Sequence, residues 1–204
     1  MSIIGGFEMS EVERQHSALQ TIINMFIARG WLSDEPAIHF SKLVINGKTT
    51  IIDITHIHCD NKKVAIKFYN TKLNTIKNDN DIDLFMSKYP DYHKLFIVND
   101  ISSKAEKQIS DSKNNEVFKI MDIIKDISKH HLVPKHILLS SDDGKKVMTE
   151  YNIKKKEMGR IYIDDPMAKY LYAQKDDIIQ IIRESIYSGY STYYRLVVFG
   201  SINN

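Results

Sequence analysis

Over its first 120 residues the chain alternates between amphipathic stretches and short apolar runs bounded by turn residues. A chain patterned in this way can bury both kinds of segment only by layering helices on a sheet. The first stretch carries the clearest signal. Over residues 9–29, Val12, Leu19, Ile22, Ile23, Phe26 and Ile27 recur near 3.6-residue spacing and form one apolar stripe. Glu8, Glu11 and Glu13 favour the N-terminal end of that helix electrostatically, and Arg29-Gly30 supplies a stop. β-like runs follow at 43–45, 49–54 and 64–69, with the hairpin dipeptide Asn46-Gly47 between the first two. The pattern then predicts a helix over 81–89 closed by Pro90, a strand over 94–98, a helix over 103–110 and a strand over 116–120. The expectation is an α/β domain of two or three layers with a mixed sheet.

Around 123–129 the texture changes. A helix is predicted over 142–151 with Ser141 as cap, although Gly144 in its first turn weakens the pattern. Asp165-Pro166 reads as an N-cap followed by the first helical position. Strands are predicted over 178–183 and 193–199, separated by a Ser/Gly/Tyr turn around Gly189. These elements make a small α+β module, so the expected domains are 1–128 and 129–204.

Composition narrows the function classes. A net charge of +2 is compatible with nucleic-acid binding but does not argue for it, since dedicated binders are far more basic. With the single cysteine Cys59, an intramolecular disulfide and a cysteine-rich zinc site are both excluded, and a reducing compartment is expected. The first residues carry neither a signal-peptide pattern nor, with Ser2, a myristoylation start. No apolar run approaches the ~20 residues that span a bilayer. A soluble intracellular chain without membrane partners is expected.

Candidate chemistry is sparse. On a strand His56 and His58 would face one side and Cys59 the other; two histidines can share a metal, but no third or fourth ligand is signalled. His130, His131 and His136 flank Leu132-Val133-Pro134 and read as structural. Metal-dependent nucleases place an Asp on one strand and Glu-x-Lys on the next, the acids holding the ion that activates water. Here Asp53 ends one strand and Lys67 lies in the next, but the second acid position is Ala65, whose methyl cannot ligate Mg²⁺. Gly-x-Ser-x-Gly, Walker-type and Gly-x-Gly-x-x-Gly runs do not occur, and Asp142-Asp143-Gly144 is too short for an EF-hand loop. The run Lys154-Lys155-Lys156 reads as a solvated surface. Ser102, Ser103, Lys104 and Lys107 follow a strand and open a helix, where backbone N–H groups and side-chain donors can meet a phosphate.

From His130 onward the residues carry a resemblance. His130-His131-Leu132-Val133-Pro134-Lys135-His136 matches an H-x-L-V-P-x-H start. Arg160-Ile161 follows, then Asp165-Pro166 with Ala168-Lys169-Tyr170, then Ile181-Ile182-Arg183, Ser185 and Gly189, and Tyr194-Arg195-Leu196-Val197. This ordered series of about seventy residues resembles the assembly domain of the fifth common subunit of eukaryotic RNA polymerases, which archaeal polymerases also contain. There are departures: Met158-Gly159 stands where the family has Leu-Pro, and Tyr172 and Asp176 replace two glycines. If those glycines serve positions of positive φ, the turns there are strained. The first part resembles the eukaryotic form more loosely, through Ala28-Arg29-Gly30-Trp31-Leu32 and the acid Asp53. Ser103-Lys104-Ala105-Glu106 stands where the family has a DNA-proximal Thr-Pro-Ser-Ala.

The resemblance implies a non-catalytic polymerase subunit without cofactor or metal. A restriction-endonuclease-like jaw lacking the active site would flank downstream duplex DNA without reading its sequence, with Ser102, Ser103, Lys104 and Lys107 near the DNA. The C-terminal domain would anchor on the largest subunit through the motif residues His130, Pro134, His136, Arg160, Asp165, Pro166, Tyr170, Arg183, Tyr194 and Arg195. Divergence and richness in Ile, Lys and Asn resemble the versions encoded by large nucleocytoplasmic DNA viruses such as asfarviruses. That implies host cytoplasm and virion for a viral chain, and the nucleus otherwise. The alternatives are a free-standing nuclease-fold DNA-binding protein and a transcription adaptor.

Overall fold

The stripe at the start of the chain forms helix α1, Glu11–Ala28, in a computed structural model that describes residues 9–32, 45–46, 49–53, 63–69, 72–73, 80–110, 112, 114–185, 187 and 189–200. Ser10 caps it reciprocally with Glu13: Ser10 Oγ accepts from the Glu13 N–H, and the Glu13 carboxylate accepts from the Ser10 N–H at 2.7 Å. At the other end the Gly30 N–H reaches the Ile27 carbonyl at 2.9 Å and the Trp31 N–H reaches that of Phe26 at 2.8 Å. This six-to-one closure needs a left-handed residue, and Gly30 has φ 70°. Leu19, Ile22, Ile23 and Phe26 are buried as the spacing predicts, Ile27 is half-buried, and Met25 joins the stripe. Glu8 and the side chain of Val12 lie outside the described part.

By its internal contacts the chain divides into two units, Met1–Lys125 and Asp126–Asn204. The first holds a five-stranded mixed sheet in the order β1 (Ile45–Asn46), β2 (Thr49–Asp53), β3 (Lys63–Tyr69), β4 (His93–Val98), β5 (Asn115–Lys119). The first three strands are antiparallel and the last three parallel. Asn46 pairs with Thr49, the register of a two-residue hairpin expected from Asn46-Gly47; residues 47–48 lie outside the described part, as do 43–44 and 54.

Parallel pairing requires crossovers, and helices α2 (Asn80–Lys88) and α3 (Ser103–Ser110) lie in the two connections. Every residue of β4 is buried, as expected for a central strand covered on both faces. On one face Ala65, Phe96 and Val98 share a core with Ile82 and Phe85 of α2 and Ala105 and Ile109 of α3. On the other, His93 of β4 meets Trp31, just past α1, and Glu116 of β5 meets Arg29. The unit is therefore three-layered, helix on sheet on helices. β5 ends one residue before the expected strand does, because Ile120, Ile123 and Ile124 carry helical rather than strand spacing and bury a short helix α4, Ile120–Ile123.

The second unit opens with a 3₁₀ turn at Ile127–Lys129 and builds a four-stranded sheet in the order β6 (Lys135–Leu138), β8 (Ile178–Ser185), β9 (Gly189–Val198), β7 (Gly159–Tyr162). Helix α5 is Ser141–Glu150; its cap is Ser140 rather than Ser141, with Ser140 Oγ accepting from the Asp143 N–H at 3.1 Å. Gly144 is buried there, and a Cβ on it would come within 3.1 Å of Ile178 Cδ1. The apparent helix breaker thus marks a close approach of α5 to β8. Helix α6, Pro166–Tyr170, starts as expected with the Asp165 side chain accepting from the Met167 N–H. β9 begins at Gly189 rather than 193: the chain turns at Tyr187, just before it, and residues 189–192 already belong to the strand. Beyond β6 and β7, Arg183–Ser185 and Gly189–Ser191 pair only with each other, as a two-stranded ribbon tipped by fully exposed Tyr187.

Candidate functional site

Side chains two apart on a strand share a face, so the registers of the second sheet decide which motif residues meet. His136 pairs with Ile181, Ile181 with Tyr193, Arg195 with Gly159, and Val197 with Ile161. One face therefore carries His136 from β6, Ile181 and Arg183 from β8, Tyr193 and Arg195 from β9, and Ile161 from β7. Pro134 and Asp165 complete a groove of about 310 Å³ lined by these eight residues.

Five of the ten motif residues named from sequence line the groove: Pro134, His136, Asp165, Arg183 and Arg195. The other five lie elsewhere. His130 is exposed, stacks on His131, and accepts from the Leu132 N–H through Nδ1. Arg160 is exposed and lends its carbonyl to Arg195 at 3.1 Å. Pro166 is the first residue of α6, and Tyr170 is buried with its hydroxyl accepting from Ser128 Oγ. Tyr194 faces the opposite side of the sheet, packing with the Met158, Ile178 and Leu196 core and against Tyr151; burial, with the neighbouring Tyr151, pushes its phenol up. Sequence reasoning carries Ile161 and Ile181 in the motif without naming them as site residues, and misses Tyr193, whose signal is position, two residues before Arg195 on a strand.

The groove mixes fixed and open valences. Asp165 Oδ1 is held at 2.8 Å by the Met167 N–H. His136 Nδ1 lies 2.7 Å from the Pro134 carbonyl, which orients the ring and leaves Nε2 available. Among the described residues Arg195 bonds only the Arg160 carbonyl and Arg183 meets no partner.

In the first unit, Ser103, Lys104 and Lys107 are exposed on α3, opposite buried Ala105 and Ile109. Ser102 Oγ accepts from the Ala105 N–H at 3.2 Å and caps that helix. Nearby Asp100 pairs with Lys72 at 2.7 Å and lies 3.9 Å from Lys119, and that ion pairing holds its carboxyl below the usual range. Asp53 ends β2 opposite Lys63, and its side chain is outside the described part. Ala65 is fully buried. Lys67 is buried on the same face, its Nζ 5.0 Å from the Tyr69 ring centre and 5.3 Å from that of Phe85. His56, His58 and Cys59 lie outside the described residues, and among those described no three His, Cys, Asp or Glu cluster for a metal. Lys154, Lys155 and Lys156 lie on an exposed 3₁₀ turn.

The groove-bearing unit has a recognised form. Residues 125–197 match the family model described as RNA polymerase Rpb5, C-terminal domain. The chain is 31% identical over 134 residues to DNA-directed RNA polymerase subunit 5 of Acanthamoeba polyphaga mimivirus, covering 66% of this chain and 65% of that one. It is 43% identical over 75 residues to subunit Rpo5 of Thermofilum pendens, covering 37% of this chain and 94% of the archaeal protein. Over 93 residues it is 34% identical to the DNA-directed RNA polymerases I, II, and III subunit rpabc1 of Dictyostelium discoideum, 46% of this chain and 45% of that one. The chain belongs to the Rpb5 family of DNA-directed RNA polymerase subunits.

Proposed function

We propose that the chain is a non-catalytic subunit that anchors on the largest polymerase subunit through residues 129–204 and flanks downstream DNA with residues 1–128. The observation that carries this reading is the groove: one sheet face of the family-matched segment, completed by Pro134 and Asp165, gathers five of the ten named residues into a single concave surface. Motif residues outside it support the fold: Pro166 starts α6, and Tyr170 bonds the 3₁₀ turn through Ser128.

In this reading the first unit is a restriction-endonuclease-like jaw that has lost its metal cage and works without a cofactor. Fully buried Ala65, with Lys67 held against two aromatic rings, supports that over nuclease activity. Ser102, Ser103, Lys104 and Lys107 would face phosphates without reading bases. Likeness to the mimivirus subunit favours a viral polymerase, working in host cytoplasm and carried in virions. The test is recovery of a tagged copy from cells containing the parent polymerase. The two largest subunits are expected to co-purify, and their absence overturns the reading. In parallel, purified chain with duplex DNA and Mg²⁺ or Mn²⁺ is expected to leave the DNA intact; cleavage abolished by Asp53→Ala would establish the nuclease instead.

A further inference from the structure

We propose that the groove of the second unit receives an acidic side chain, flanked by apolar residues, from a segment of another protein chain in the polymerase. This rests on the docking reading above and names the chemistry of the contact. The charge of the groove is unmatched. Arg183 and Arg195 supply two guanidinium groups to it, and Asp165 is the one acid lining it. Asp165 already accepts from the Met167 N–H, and neither arginine is bonded to it. Arg183 has no partner among the described residues, although Glu184 is its neighbour in sequence, because successive residues of a strand point to opposite faces. A planar guanidinium with open donors fits a carboxylate in a two-bond fork. His136 adds a further polar contact through Nε2, its Nδ1 being oriented by Pro134.

The remaining lining selects the occupant. Pro134, Ile161, Ile181 and Tyr193 make half of the wall apolar, and half-exposed Tyr193 offers a ring to an aliphatic neighbour of the acid. A nucleic-acid backbone fits poorly, since its repeated phosphates would meet Asp165 and leave the apolar wall uncovered. A volume of about 310 Å³ suits one or two side chains rather than a helix or a nucleotide run.

The test uses the full chain co-expressed with the other subunits of the parent polymerase. Wild type, Arg183→Glu, Arg183→Lys and Glu184→Arg are compared for retention in the complex, with thermal melting confirming that each variant is folded. Arg183→Glu is expected to weaken retention by about 30-fold or more, the lower range for breaking a desolvated charge pair. Arg183→Lys, which keeps charge but not the fork, should fall between it and wild type, and Glu184→Arg should match wild type. In a second arm Tyr193 is replaced by p-benzoylphenylalanine and the photo-crosslinked peptide is sequenced. It should contain an Asp or Glu whose reversal to Arg restores retention of Arg183→Glu. Wild-type retention of folded Arg183→Glu, a crosslinked peptide without an acid, or a crosslink to nucleic acid each overturns the proposal. If wild type itself fails to join the complex, the docking reading falls, and the Tyr193 crosslink still decides whether an acidic segment occupies the groove.

Discussion

Each unit places charged groups around arginines, and the two do it in opposite ways. In the first, Arg29 grips both oxygens of Glu116 at 2.7 and 2.8 Å, and His93 Nε2 bonds the same carboxylate. The Arg29 side chain is 1% exposed, lies 4.9 Å from the Trp31 ring centre, and has its charge balanced within the unit. In the second unit Arg183 and Arg195 stand exposed in a groove, with no carboxylate among the described residues bonded to either. A closed network spends its interactions on the fold; an open one leaves donors free for the partner proposed above. The contrast separates residues expected to govern stability from those expected to govern assembly, although both sets are polar.

The largest effect should come from breaking the closed network. Arg29→Met leaves Glu116 buried with only His93, and stability of the first unit should fall by about 3–5 kcal/mol. Trp31, the single tryptophan, packs on Phe26 and against the edge of His93, so its fluorescence in a urea titration reports this unit. Arg183→Met should change stability by no more than about 0.5 kcal/mol. Equal costs for the two substitutions would erase the distinction.

Acid should weaken the same network less abruptly. Burial alone would raise the Glu116 carboxyl, but the charge of Arg29 and the hydrogen bonds from His93 and Arg29 outweigh it and hold it below its ordinary value of 4.5. A group depressed on folding contributes stability that is fully present above its unfolded value and is lost as pH falls through the folded one. The Trp31-monitored stability should therefore decline below about pH 4.5, and Glu116→Gln, less stable at neutral pH, should decline less steeply. Parallel acid profiles for the two proteins would remove Glu116 as the cause. The effect is smaller than that of Arg29→Met because a protonated carboxyl still accepts hydrogen bonds.

The exposed cations of α3 sharpen the contrast on the side of the first unit. Lys104→Ala with Lys107→Ala should leave the Trp31 transition in place. The slope of log affinity against log salt for downstream duplex binding by the assembled polymerase should fall by about 0.9 for each phosphate no longer neutralised. An unchanged slope would remove these lysines from the DNA path.

Legibility in the sequence follows the same division between local and distant information. Helix α1, the buried strands and the Asp165-Pro166 start of α6 are readable because spacing and capping are local. β6 and β7 are not readable as strands: each is four residues long, and neither pairs an apolar alternation with a buried face. The motif spells seven of the eight groove residues, five of them named as site residues, but that Ile161, Ile181 and Tyr193 join them is set by the strand registers, which put these three on the face of His136, Arg183 and Arg195. The Arg29–Glu116 and His93–Glu116 contacts join residues 87 and 23 positions apart, and no periodicity signals such a meeting.

The smallest effects test whether the second unit carries strain. Its helices close with the same motif as α1 but without glycine. After α6 the Tyr172 N–H reaches the Lys169 carbonyl and the Ala173 N–H that of Ala168, with Tyr172 at φ 54°. After α5 the Asn152 and Ile153 N–H groups reach Thr149 and Met148, with Asn152 at φ 49°. Asp176, the other position where the resemblance expects glycine, sits at φ 72° in the turn closed by Asp177 N–H on the Gln174 carbonyl. Left-handed geometry thus occurs at both positions where the resemblance expects glycine, and side chains there carry a steric cost of about 1 kcal/mol. Tyr172→Gly should stabilise the second unit by about that amount, measured as the shift of its thermal transition by circular dichroism, because relief of the Cβ clash exceeds the added entropy of the unfolded chain. Asn152→Gly should yield only a few tenths of a kcal/mol, since asparagine tolerates this region by local hydrogen bonding. If Tyr172→Gly instead destabilises, the tyrosine ring contributes packing worth more than the strain. Position 172 would then belong with the closed, fold-supporting contacts of the first unit rather than with the open surface around the groove.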